Sequence, residues 1–192
     1  MTTSRVLGLL AALSLPLLTI PSAPAAHASV SADVVVADMA FGPSRVTVRV
    51  GETVTWTFRD AVSHTATSDD GFFDSGRASG GAVRTIRFRS AGTFAYHCEL
   101  HPMMVGRVSV PVAVTDLGDD GWRLRWLAGD GPRNRAYDVQ VRRNGATAWK
   151  YLRKATTAAG ARYDPGKGLW QVRARTLKGT RMSGWSPVVA LS

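Results

Sequence analysis

Cysteine is nearly missing: the chain has one in 192 residues. No intramolecular disulfide can form, so the fold must rest on packing alone. Lysine is absent between residues 29 and 112. Convincing helical periodicity is absent from that stretch too, which excludes a helical bundle there. Long apolar runs are also lacking. The best candidate, Val6–Ile20, is interrupted by Ser14, Pro16 and Thr19, too short and too broken to span a bilayer. With Arg5 before it and small residues up to Ala26-His27-Ala28 after it, this stretch reads as a secretory signal peptide. Cleavage is expected after Ala28, giving an exported mature chain with no transmembrane segment. No twin arginine and no lipid-accepting cysteine accompany it.

Charge is unevenly spread. Residues 29–112 hold eight arginines and eight acids, net zero; residues 113–192 hold eleven arginines, four lysines and six acids, net +9. The break at residue 112 points to two domains with different roles, 29–112 and 113–192.

Both halves alternate as β-strands do. In "VTVRVGETVTWTFRD" the apolar positions are Val46, Val48, Val50, then Val54, Trp56 and Phe58, with a turn at Gly51-Glu52. "RTIRFRSAGTFAYHC" places Ile86 and Phe88 before a turn at Ala91-Gly92, then Phe94, Tyr96 and Cys98. "GRVSVPV" supplies a last strand that Pro111 ends, since proline lacks the ladder N–H. In the second half "GWRLRWL", "YDVQVRR", "AWKYLRK" and "LWQVRART" read as strands, with turns at Asn144-Gly145 and Pro165-Gly166. "ATTAAGA" fits a loop or a weak strand. Short strands and Gly-containing turns throughout predict an all-β chain.

The scarce soft donors are gathered in one place. "FAYHCELHPMMVG" carries the single cysteine, two of the four histidines and two of the five methionines. A lone cysteine is often a buried inert thiol, but Cys98, His101 and Met104 fall three residues apart each time. Thiolate, imidazole and thioether together suit a soft metal such as copper, and a trigonal His₂Cys site with a weak axial Met needs one more histidine. His97 neighbours Cys98 on a strand and should face the other way. His64, in "DAVSHTATS", is the better candidate. A thioether argues against zinc.

"GETVTWTFRDAVSHTATSDDGFFDSG" followed by "AGTFAYHCELHPMMVGRVSV" resembles the cupredoxins, the small blue copper proteins, and within them amicyanin- and plastocyanin-like members. The resemblance covers roughly residues 32–112. It implies a Greek-key β-sandwich, one type 1 copper ion, and His64, Cys98, His101 and Met104 as its ligands. Thr65 departs from the family pattern, which often has an asparagine after the first histidine to brace the ligand loop. Multicopper oxidases link their centres through a His-Cys-His run. Here the run is His97-Cys98-Glu99, and after His64 and His101 only His97 is left in the mature chain, too few for a second copper centre, so no enzyme activity is expected. Ser63 beside His64 is a weak triad. Asp69, Asp70 and Asp74 are more often a solvated turn than a calcium site.

The second half resembles a fibronectin type III domain, an immunoglobulin-like β-sandwich, over about residues 114–191. The clearest sign is the "RAR" strand followed by "SGWSP". Trp170, Val172 and Ala174 should face inward and Arg173 and Arg175 outward, with Trp185 stacked between the guanidinium groups. Two readings of the basic excess stay open: surface packing, or an anionic cell-envelope polymer or membrane surface as partner. Nucleic acid is not expected, since charge alone shows no specific recognition.

Together these features predict an exported blue copper protein that moves single electrons between redox proteins docking near His101. A basic adhesion or spacer module follows it. The alternatives are a copper carrier or buffer in the cell envelope, and a wall-binding structural protein with a minor copper role.

Overall fold

The computed structural model describes residues 31–192, and they are almost entirely β. The expected signal peptide lies outside the described residues. The first half contributes β1 (Ala32–Ala37), β2 (Ala40–Gly42), β3 (Arg45–Thr47), β4 (Glu52–Phe58), β5 (Thr67–Ser68), β6 (Val83–Phe88), β7 (Gly92–Cys98) and β8 (His101–Val110). They form two four-stranded sheets, β2-β1-β4-β6 and β3-β8-β7-β5. The second half contributes β9 (Ala113–Asp116), β10 (Trp122–Arg125), β11 (Ala136–Arg143), β12 (Lys150–Thr156), β13 (Gly160–Tyr163), β14 (Trp170–Lys178), β15 (Arg181–Met182) and β16 (Val189–Leu191). Here a three-stranded sheet, β13-β10-β9, accompanies a five-stranded one built on β12-β11-β14-β15 with β16 beside β14.

The period-two pattern explains the first sandwich. Along β4, Val54, Trp56 and Phe58 are fully buried, while the threonines between them stay partly exposed. Along β7, Phe94, Tyr96 and Cys98 face the same core. Alternate residues of a strand share a face, so the two sheets close over one another with Val34, Val36, Val108 and Val110 filling the space between. Tyr96 meets Phe41 and Trp56 edge-on, at ring-centroid distances of 4.8 and 5.7 Å. The facing strand must leave room for that ring: a Cβ at Gly106 would collide with Tyr96.

Two details differ from the sequence expectation. The last strand of this half begins at His101, not at Gly106, and pairs with β7 throughout, with an irregularity between His97 and Cys98. "ATTAAGA" resolves into the end of β12 and the start of β13.

The two halves are joined by more than the chain between them. Ala91 is fully buried in the second core, with Trp126, Tyr137 and Val172. Its N–H donates to the Trp126 carbonyl at 2.8 Å, and its carbonyl accepts from the Thr176 hydroxyl at 2.8 Å. Thr93 exchanges two backbone hydrogen bonds with Gly184, both 2.9 Å, and its hydroxyl donates to the Trp185 carbonyl. Arg87 and Arg89 both reach the Asp130 carboxylate, at 2.6 and 3.3 Å. The turn between β6 and β7, which the sequence marks only as Ala91-Gly92, is therefore the docking element.

Candidate metal centre

β7 leaves the domain junction at Gly92 and ends at Cys98. Six residue steps at roughly 3.3 Å each place its far end about 20 Å from the junction. There the buried Cys98 thiol, the buried His64 ring and the partly exposed His101 ring converge, their donor atoms within 4.8 Å of one another. His64 Nδ1 and His101 Nδ1 are 3.1 Å apart, and Cys98 Sγ lies 3.8 Å from the first and 3.6 Å from the second. Bonds of roughly 2.0–2.3 Å from one metal ion to nitrogen and sulfur set such donors about 3–4 Å apart, so the observed spacing fits one ion. Two imidazoles and a thiolate are also the donor set that suits copper.

Each donor is held from behind. His64 is fully buried, and its Nε2 lies 2.9 Å from the Asp60 carboxylate. That contact fixes the proton on Nε2 and leaves Nδ1 as the free lone pair, the usual way an outer carboxylate orients a ligating histidine. Asp60 also accepts from the Asp38 N–H at 3.0 Å and the Met39 N–H at 3.3 Å. The Asp38 N–H is the main cause holding the Asp60 carboxyl below the usual carboxylate range. Cys98 Sγ accepts from the Thr65 N–H at 3.3 Å, and the Thr65 hydroxyl accepts from the Glu99 N–H at 3.0 Å. Thr65 thus braces the loop after Cys98 as the family's asparagine would be expected to.

The methionines separate clearly. Met104 is 2 % exposed and packs in the core that contains Cys98, whereas Met103 is 86 % exposed. His97 faces outward, its Nδ1 2.7 Å from the Asp69 carboxylate. Asp74 accepts from the Thr67 hydroxyl and the Gly76 N–H. The three acids of this turn form no clustered metal site among the described residues. Sequence reasoning missed Asp60. Its only signal was an acid four positions before His64.

A β-sandwich with two histidines and a cysteine gathered at one end defines a class of single-metal-site proteins. The family model for a cupredoxin-like domain matches residues 9–110, more than half of the chain, and the chain belongs to the cupredoxin family. It is similar to amicyanin of Paracoccus denitrificans, 36 % identical over 101 residues, covering 48 % of this chain and 77 % of that protein. It is also similar to amicyanin-alpha of Methylorubrum extorquens, 32 % identical over 85 residues, covering 42 % of this chain and 71 % of that protein. Among solved structures, a reduced Cu(I) form of an amicyanin mutant is 32 % identical with a TM-score of 0.40, covering 45 % of this chain and 87 % of that one.

Proposed function

We propose that this chain is an exported type 1 copper protein that carries single electrons between redox proteins, with His64, Cys98, His101 and Met104 as the copper ligands. The convergence of His64 Nδ1, Cys98 Sγ and His101 Nδ1 at one buried point carries the reading. Bound there, copper supplies a one-electron couple. The chain's part is to keep the donors still and dry. Asp60 and the Thr65 N–H hold His64 and Cys98, while the core around Met104 excludes water. Donors fixed in this way need little rearrangement when charge changes, and the axial thioether and apolar shell tune the potential.

His101 is the most exposed of the proposed ligands and serves as the electron port. Met103, close to it in sequence, Val62, close to His64 in sequence, and Met39, whose N–H donates to Asp60, are 86, 52 and 44 % exposed. We read them as an apolar rim suited to brief docking. Electron carriage rather than catalysis follows from the donor count: His64 and His101 are committed to one ion and His97 is turned to Asp69. The leader-like sequence before Ser29 supports export.

The second half is read as a fibronectin type III-like spacer, residues 113–192. Support comes from its two sheets and from a stacked ladder. Arg142 and Arg173 lie over Trp149 at 4.4 and 4.1 Å, and Arg173 and Arg175 over Trp185 at 4.5 and 4.6 Å.

Purified protein loaded with copper and cycled electrochemically tests the electron-transfer reading. Reversible one-electron cycling with one copper retained per chain is expected. Loss of the metal on each reduction would replace this reading with copper carriage.

A further inference from the structure

A cleft of about 340 Å³ opens at the domain junction, at the opposite end of the first sandwich from the proposed copper ligands. Four phenylalanines line it, Phe72, Phe73, Phe88 and Phe94, and Pro132 closes it from the second half. Three guanidinium groups reach it as well: Arg87, Arg89 and Arg135. A volume at the small end of the roughly 300–1,000 Å³ range, with aromatic rings and charged groups meeting in one cleft, fits a small-molecule site.

Arg135 is the unusual member. Its Nε is buried and has no hydrogen-bond partner. Its guanidinium instead lies over the Phe72 ring, 5.1 Å from the centroid. Stacking uses the face of the guanidinium plane, and the N–H groups point outward in that plane, still needing acceptors. The nearby Tyr137 hydroxyl is itself buried without a partner, so it does not satisfy Arg135. Asp130 accepts from both Arg87 and Arg89, one carboxylate shared between two cations. A buried donor left without an acceptor, as the Arg135 Nε is, costs on the order of 1–3 kcal/mol. Burial accordingly pushes the Arg135 guanidinium below its ordinary pKa.

We propose that this cleft binds a small aromatic carboxylate. The carboxylate takes the in-plane N–H groups of Arg135, which bind such anions through two parallel bonds. The ring takes the open part of the cleft against the partly exposed Phe72 and Phe73, where aromatic pairs gain energy beyond area alone. A neutral aromatic would leave Arg135 unpaired. A bare inorganic anion would leave the aromatic walls facing water. The site is independent of the copper ligands and needs no metal.

The test is calorimetric titration of the full-length, copper-loaded protein with naphthoate, with naphthamide of the same shape and no charge, and with inorganic phosphate. One-to-one saturable binding of naphthoate is expected, at least about tenfold tighter than either comparison ligand. Arg135→Gln should weaken naphthoate by at least about tenfold and leave naphthamide unchanged. Amide chemical-shift mapping on the unaltered protein should place naphthoate at Phe72, Phe94 and Arg135, which keeps the test decisive if Arg135→Gln does not fold. The proposal is overturned by any of three results. Naphthoate could show no saturation into the millimolar range, naphthoate and naphthamide could bind alike, or the shifts could map elsewhere.

Discussion

Replacing Thr65 by valine keeps the shape of the side chain and removes its hydroxyl. Thr65 is 1 % exposed; its Oγ1 accepts from the Glu99 N–H and lies 3.0 Å from the Thr67 hydroxyl oxygen, to which it can donate because the Thr67 proton goes to Asp74. The Glu99 N–H is the critical partner, because it fixes the turn between Cys98 and His101. If that N–H stays dry after the substitution, the cost is about 1–3 kcal/mol; if water reaches it, the cost falls to about 0.5–1.5 kcal/mol. Thr65→Ser keeps the hydroxyl and loses one buried methyl group, about 0.8 kcal/mol. Denaturant unfolding of the metal-free protein measures both. The visible spectrum of the copper-loaded protein then reports whether the Cys98 thiolate keeps its orientation. Thr65→Val should be the less stable variant and should shift the band, while Thr65→Ser should retain the native spectrum. Equal stability and identical spectra for the two variants would show that the hydroxyl braces nothing.

Three further outcomes follow from the same geometry. Cys98→Ser should abolish the thiolate-to-copper absorption, whereas His97→Ala should leave it nearly unchanged. A band lost in His97→Ala and kept in His64→Ala would overturn the ligand set. Met104→Leu should keep copper and raise the reduction potential, because a donor favouring Cu(II) is gone, at a stability cost under about 1.5 kcal/mol for this near-isosteric change; Met103→Leu should alter neither, and voltammetry of the pair decides. Asp130 is pushed up by partial desolvation, but donation from Arg89 and the charges of Arg87 and Arg89 outweigh it and hold the carboxyl below its ordinary value. A depressed pKa contributes stability above the unfolded value and loses it as pH falls through the folded one, so the stability gap between the native chain and Asp130→Asn should close in acid. A gap that persists or widens there, followed by thermal unfolding across the carboxylate range, would remove the ion pair from the junction's stability.

The convergence of Cys98 and His101 was legible because groups on one strand end and its turn are close in sequence as well as in space. The choice of His64 over His97 was legible from strand alternation alone. The supports were not. Asp60 reaches His64 across a loop, and Thr65 reaches Cys98 and Glu99 from the segment leading into β5, beside β7 in the same sheet. Such contacts depend on how two loops stack, which no local periodicity encodes. The same limit hid the joint. Ala91 in "RSAGTF" has the composition of an ordinary turn, and only the assembled second core shows that it is buried there. Trp185 was expected between Arg173 and Arg175 from the spacing around "SGWSP". Trp149 came from a strand read only as "AWKYLRK", and the structure adds it on the other side of Arg173.

The position of the joint also bears on partner choice. Stacking on tryptophan does not neutralise a guanidinium, so the second half keeps its net charge of +9 and the field that charge produces. The ladder and its neighbours do occupy the hydrogen-bonding edges, as with Arg175 on Asp138 and Arg173 on Gln140. That favours diffuse attraction over tight engagement of an anionic surface. The proposed copper site sits about 20 Å along β7 from the junction, roughly two and a half Debye lengths at physiological ionic strength. The half that carries the site is itself net neutral. Screening should therefore leave the His101 face governed by its apolar rim and not by the basic module. Electron exchange with an uncharged small-molecule oxidant and with a protein partner docking at that rim should vary by less than about tenfold as salt is raised from the physiological level upward, where the field of the basic half is already screened. A steep fall in the partner's rate with added salt, with the small oxidant unaffected, would show that the basic half steers docking after all.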